Sequence, residues 1–138
     1  MPAPRRLLAL AAVLLLSLAC MGMGGLGETE VISKIPQPDR PFTVTVIDVT
    51  DTSFSVSDFS VDGQTIVPAD MGKARIGIDF AKVKDVLFLQ QGDALTATVA
   101  FLDGEVKTVD VVPNTVFYGR TKWGLMRLLA KDIKELHF

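Results

Sequence analysis

The chain has 138 residues, with 14 Lys+Arg against 16 Asp+Glu and a formal net charge of −2. It therefore lacks the basic excess that a nucleic-acid surface requires, and its single cysteine, Cys20, has no partner for an intrachain disulfide.

The first element is a leader. Arg5 and Arg6 precede the uncharged run Leu7–Ala19, whose 13 residues fit an h-region of roughly 7–15 and fall short of the about 20 that span a bilayer. Leu16-Ser17-Leu18-Ala19-Cys20 then resembles the lipobox of bacterial lipoprotein signal peptides, departing from it in having Ser17 where leucine is usual and Leu16 one position earlier. The resemblance implies a signal-peptide helix over residues 1–19, recognised through Arg5, Arg6, Leu16, Ser17, Leu18 and Ala19. It also implies cleavage before Cys20 and lipid on the Cys20 sulfur. Met21 stands where aspartate would favour inner-membrane retention, which implies an envelope protein of the outer membrane facing the periplasm in a Gram-negative cell.

Two alternatives stay open. Small Ser17 and Ala19 also suit an ordinary signal peptidase, giving a plain secreted protein. The uncharged run continues to Leu26, long enough for an uncleaved transmembrane anchor, although four glycines within Gly22–Gly27 oppose a helix there. Loss of residues 1–19 removes two arginines and no acid, leaving 12 cations against 16 acids and a charge of −4. No Lys/Arg cluster then stands out, so membrane contact is expected from the lipid on Cys20 rather than from the body.

Residues 20–41 read as a Gly/Pro tether, because Met21–Gly27 is glycine-rich and Pro36, Pro38 and Pro41 block helix and central strand alike. Residues 42–138 are long enough for one core. Phe42–Ile47 and Ser53–Ser57 alternate apolar with polar, as does Leu95–Leu102, which meets Asp103-Gly104 and returns as Val106–Val112. A second such pair, Asp62-Gly63, lies between Phe59–Val61 and Gln64–Val67. Both read as hairpins whose turn needs positive φ at two central residues.

An internal repeat appears at an offset of 50: Val83–Phe88 aligns with Ile133–Phe138, and Ile78 with Leu128. Each copy carries a DG pair followed by glycines, Gly72 and Gly77 in one and Gly119 and Gly124 in the other. The predicted fold is all-β, a small antiparallel sandwich or barrel built from two similar units, about 42–90 and 93–138. Val83-x-x-Val86-x-Phe88 and Ile133-x-x-Leu136-x-Phe138 are similar to small repeated all-β modules of uncharacterised bacterial secreted proteins. That resemblance concerns apolar and turn residues, and implies no functional residue.

Leu125, Leu128, Leu129, Ile133 and Leu136 could equally stripe an amphipathic helix. The glycine before them and the β-branched first copy favour a strand over Trp123–Leu129, a helical turn at Ala130–Asp132 and a closing strand Ile133–Phe138.

Chemistry-bearing patterns are few. His137 is the only histidine and reads as an outward strand residue; no spacing suits a zinc site or a nucleophile with its base, and neither metal nor cofactor nor catalytic residue is assigned. Asp48, Asp51, Asp58 and Asp62 are explained as turn and strand-end aspartates without a metal. Tyr118, Arg120, Lys122 and Trp123 hold the only tyrosine and tryptophan beside two cations. They read as a hairpin with aromatics paired across its strands, or as a binding edge for a glycan, small molecule or partner side chain. The functional expectation is a lipid-anchored, non-enzymatic envelope protein with a structural or protein-interaction β domain. The alternative is a ligand-binding module using the Tyr118–Trp123 edge.

Overall fold

Alternating apolar and polar residues become paired strands from Val44 onward. The computed structural model describes residues 32–138; Arg5, Arg6 and Leu16–Ala19, expected to form the signal, together with Cys20 and the run to Leu26, lie outside the described residues. The strands are β1 (Val44–Asp48), β2 (Ser53–Ser60), β3 (Ile66–Met71), β4 (Ala74–Asp79), β5 (Val83–Gln91), β6 (Ala94–Phe101), β7 (Val106–Val111), β8 (Val116–Thr121), β9 (Gly124–Leu129) and β10 (Ile133–His137). Their neighbours are all antiparallel, in the order β4-β3-β7-β6-β5-β10-β1-β2-β8-β9, and the sheet curls into a half-barrel. The all-β expectation holds, as one curled sheet with β4 and β9 at its edges.

The offset of 50 runs deeper than the closing motif. Added to β3, β4, the 3₁₀ turn Phe80–Lys82 and the start of β5, it gives β8, β9, the 3₁₀ turn Ala130–Asp132 and the start of β10. Registers repeat as well: Ile66 faces Asp79 and Met71 faces Ala74, just as Val116 faces Leu129 and Thr121 faces Gly124. Even the turn bonds match, Phe80 N–H to the Thr65 carbonyl at 3.1 Å and Ala130 N–H to the Thr115 carbonyl at 2.8 Å.

Exchanging β1–β5 with β6–β10 reproduces the sheet order read from its other end. The pseudo-two-fold relating the halves passes through the central pair Val86↔Leu136. Hairpin β3–β4 docks on β7 of the other half, and β8–β9 docks on β2. The halves are thus interlocked, and each completes the other's sheet.

The concave side holds the core. Val44, Val46, Val56, Phe59, Val67, Val86, Val99, Phe117 and Leu136 are fully buried there, each side chain contributing about 1.5–3 kcal/mol by leaving water. Phe59 is its centre, stacked on Phe117 with centroids at 5.1 Å and on Phe80 at 5.6 Å. Gly119 of β8 lies against the Val56 side chain and the Ser57 carbonyl of β2, where a Cβ would collide.

Three expectations are corrected. The two DG pairs are not equivalent: Asp62-Gly63 joins β2 to β3, whereas Asp103-Gly104 joins β6 to β7. Only the first has positive φ at both residues, 51° and 84°, with Val61 and Gln64 exchanging two backbone bonds of 2.9 Å. It closes a single bridge rather than a long hairpin, because β3 leaves to pair with β4 and β7. In the second, only Gly104 is positive, at 93°, and Phe101 N–H reaches the Glu105 carbonyl across a three-residue loop. The glycines also fall at different places, since the offset sets Gly72 against Lys122 and Gly77 against Arg127.

The C-terminal segment is strand, 3₁₀ turn and strand rather than helix. Residue-by-residue pairing of β9 with β8 satisfies its backbone, and Met126, Ala130, Ile133 and Leu136 turn inward.

The end of the proline-rich segment is fastened to the domain. Asp39 N–H donates to the Gly63 carbonyl at 3.0 Å, and buried Thr65 donates its hydroxyl to Asp39 Oδ1 at 2.6 Å. Arg40 donates Nε to Thr65 Oγ1 at 2.9 Å and Nη2 to Asp79 Oδ1 at 2.6 Å. The Arg40 bond and the Ala81 amide hold the Asp79 carboxyl below the usual aspartate range.

Candidate interaction surfaces

The hairpin β8–β9 positions the four residues singled out by composition. Thr121 Oγ1 accepts from the amides of Trp123 and Gly124, both at 3.2 Å, and donates to the Gly124 carbonyl at 2.9 Å, fixing a tight turn. Trp123 stands at its tip, 77% exposed, with Lys122 Nζ 4.4 Å from the ring centroid. Arg120 Nε reaches Asp58 Oδ2 at 3.2 Å, and half-buried Tyr118 faces Arg127 across the hairpin. The aromatics therefore do not pair across the strands, because Tyr118 and Trp123 fall on opposite parts of the hairpin and Trp123 belongs to the turn.

Trp123 borders two shallow grooves. One, of about 440 Å³, runs over Phe54, Ser55, Ser57, Arg120 and Thr121. The other, of about 470 Å³ and mostly apolar, is lined by Ile32, Phe54, Leu125, Met126 and Arg127 among others. Ile32, the first described residue, thus lies on the same groove as the tryptophan.

A second surface occupies the convex side of the central strands. Val86 and Phe88 point into the core, so Leu87 and Leu89 point outward, where they are 48% and 56% exposed. Two strands away Val106 is exposed on the same side, facing Ala100, and Leu102 follows in the loop. Beside them His137 Nδ1 lies 2.6 Å from Asp85 Oδ1 and Nε2 3.9 Å from Glu135 Oε2. His137 is outward as the alternation requires, yet half-covered by two carboxylates. Its main partner is 52 residues away and became visible only with the β5–β10 register.

Asp48, Asp51 and Asp62 act at turns, whereas Asp58 lies within β2 where its register to β8 shifts, and pairs with Arg120. Asp48 accepts from the Thr50 hydroxyl at 2.7 Å and from the amides of Thr50 and Thr52, which holds its carboxyl below the usual range. Asp51, Asp58 and Asp62 have φ of 65°, 49° and 51°, and Asp51 bonds Lys134 at 2.6 Å. Among the described residues no group of three or more His, Cys, Asp or Glu is arranged to hold a metal, and no helix is long and apolar enough to cross a membrane.

Fold and surfaces define an all-β domain of ten strands in two interlocked halves. A family model described as "Uncharacterised protein" matches residues 38–138, and the chain belongs to that family. The match begins one residue before Asp39, where the chain is fastened to Gly63 and Thr65. No curated protein and no solved structure matches the chain.

Proposed function

We propose that this chain is a lipid-anchored protein of the cell envelope, held through Cys20, whose β domain is a non-enzymatic docking module for an envelope protein. The observation that carries the docking role is the pair of adjacent outward leucines on β5, Leu87 and Leu89, 48% and 56% exposed on the convex side; Val106 is exposed on that side two strands away. Sheet packing explains why the alternate residues of these strands are apolar, but gives no reason for leucine on the convex side. Neighbouring leucines exposed on one strand face offer a partner apolar surface. The polar side chains also support the reading: Asp48, Asp51, Asp79, Arg40 and Lys134 are engaged with one another or with turns.

Crosslinking in intact cells followed by capture tests this reading. Leu87→Asp combined with Leu89→Asp is expected to abolish crosslinking to the envelope partner that the wild-type chain captures, with unchanged circular dichroism. Retention of the same crosslinked partner by the double variant would refute it.

A further inference from the structure

The two halves carry equivalent hairpins whose tips differ. The offset of 50 places Trp123 against Lys73, Leu125 against Arg75 and Arg127 against Gly77. The fold therefore builds this turn without an aromatic residue in one half, and presents the only tryptophan of the chain, 77% exposed, in the other. Charge is also asymmetric. Residues 116–129 hold Arg120, Lys122 and Arg127 and no acid, whereas residues 66–79 hold Lys73 and Arg75 balanced by Asp70 and Asp79. Arg120 is paired with Asp58, which leaves Lys122 and Arg127 as the cations of the β8–β9 tip that no acid of the hairpin balances.

The described chain starts beside the Trp123 tip. Ile32 shares the apolar groove with Trp123, Phe54 and Leu125. Cys20 is 12 residues before Ile32, a reach of at most about 40 Å when fully extended. An anchor at Cys20 therefore keeps the Trp123 end of the domain within that distance of the lipid. Tryptophan favours the headgroup level of a bilayer, where its ring is half-solvated, and lysine and arginine beside it meet anionic headgroups.

We propose that the β8–β9 tip, Trp123 with Leu125 between Lys122 and Arg127, seats in the headgroup layer of the anchoring membrane and orients the domain on it. The inference rests on the lipid-anchor reading. One tryptophan with two cations holds a free domain poorly, and stable attachment takes a second signal. A short tether supplies it by raising the local concentration of the tip to the order of millimolar.

Trp123 is the only tryptophan, so emission reports this tip alone. The processed protein is reconstituted in vesicles containing phosphatidylglycerol, and Trp123 is read by emission wavelength and by iodide quenching. The expected result is a blue shift with loss of most iodide quenching, and quenching instead by lipids brominated near the headgroup. Co-sedimentation with the vesicles and acyl mass on Cys20 report the anchor separately. If the protein carries no lipid, a chain beginning at Cys20 is coupled through that thiol to maleimide-headgroup lipid, which restores the tether and keeps the tip testable. Anchored protein whose Trp123 stays red-shifted and open to iodide overturns the proposal. So does an equal blue shift on titrating envelope glycans without vesicles, which would assign the tip to a sugar.

Discussion

Replacing Thr65 by valine removes one hydroxyl from a fully buried side chain and leaves its shape almost unchanged. The hydroxyl donates to Asp39 at 2.6 Å and accepts from Arg40 Nε at 2.9 Å, so it ties the incoming chain to the start of β3. Each such bond has a net value of about 0.5–1.5 kcal/mol. Asp39 and Arg40 can regain water where they are exposed, and Arg40 keeps Asp79, so the expected loss is about 1–2 kcal/mol. For a domain of this size that lowers the melting temperature by roughly 5–15 °C. The assay is thermal unfolding by circular dichroism on a chain beginning at residue 20 with Cys20→Ser, together with exchange of the Asp39 amide, which bonds the Gly63 carbonyl at 3.0 Å. Unchanged melting and unchanged Asp39 exchange would refute the view that residues 39–40 are part of the domain.

Further outcomes follow from the same contacts. Gly119→Ala drives a methyl into Val56 and is expected to destabilise by about 1–3 kcal/mol; Val56→Ala should recover part of that loss in a double-mutant cycle, and strictly additive effects would contradict the contact. Phe59→Ala removes the ring stacked on Phe80 and Phe117 and should cost about 3–5 kcal/mol in denaturant unfolding. Asp48 and Asp79 have folded pKa values below the ordinary 3.8, so their contribution is complete above that value and is lost as pH falls through the lower folded values. Acid unfolding below about pH 4 should therefore be shallower for Asp48→Asn with Asp79→Asn than for wild type, and superimposable curves would count against it.

Period and turn chemistry made the all-β class legible, and the offset of 50 between Val83–Phe88 and Ile133–Phe138 led to the two-unit plan. The interlocking was not legible, since the pairing of β3 with β7 and of β8 with β2 joins segments whose side-chain patterns would suit any neighbour. The leucine stripe from Leu125 to Leu136 matches helix and strand equally; Gly124 and continuous pairing with β8 decided for strand. At the candidate surfaces, Trp123 and its cations were visible as residue types. Their gathering with Ile32 depends on long-range register, as does the meeting of His137 with Asp85. Leu87 and Leu89 could be placed on the outer face only after Val86 and Phe88 were seen to face inward.

The intact mass of the mature protein, extracted from membranes of the native cell, tests the lipid-anchor reading most directly. The account predicts a chain that begins at Cys20 and carries a diacylglyceryl group on its sulfur. An unmodified cysteine at that position, or a chain that still contains residues 5–26, would contradict it.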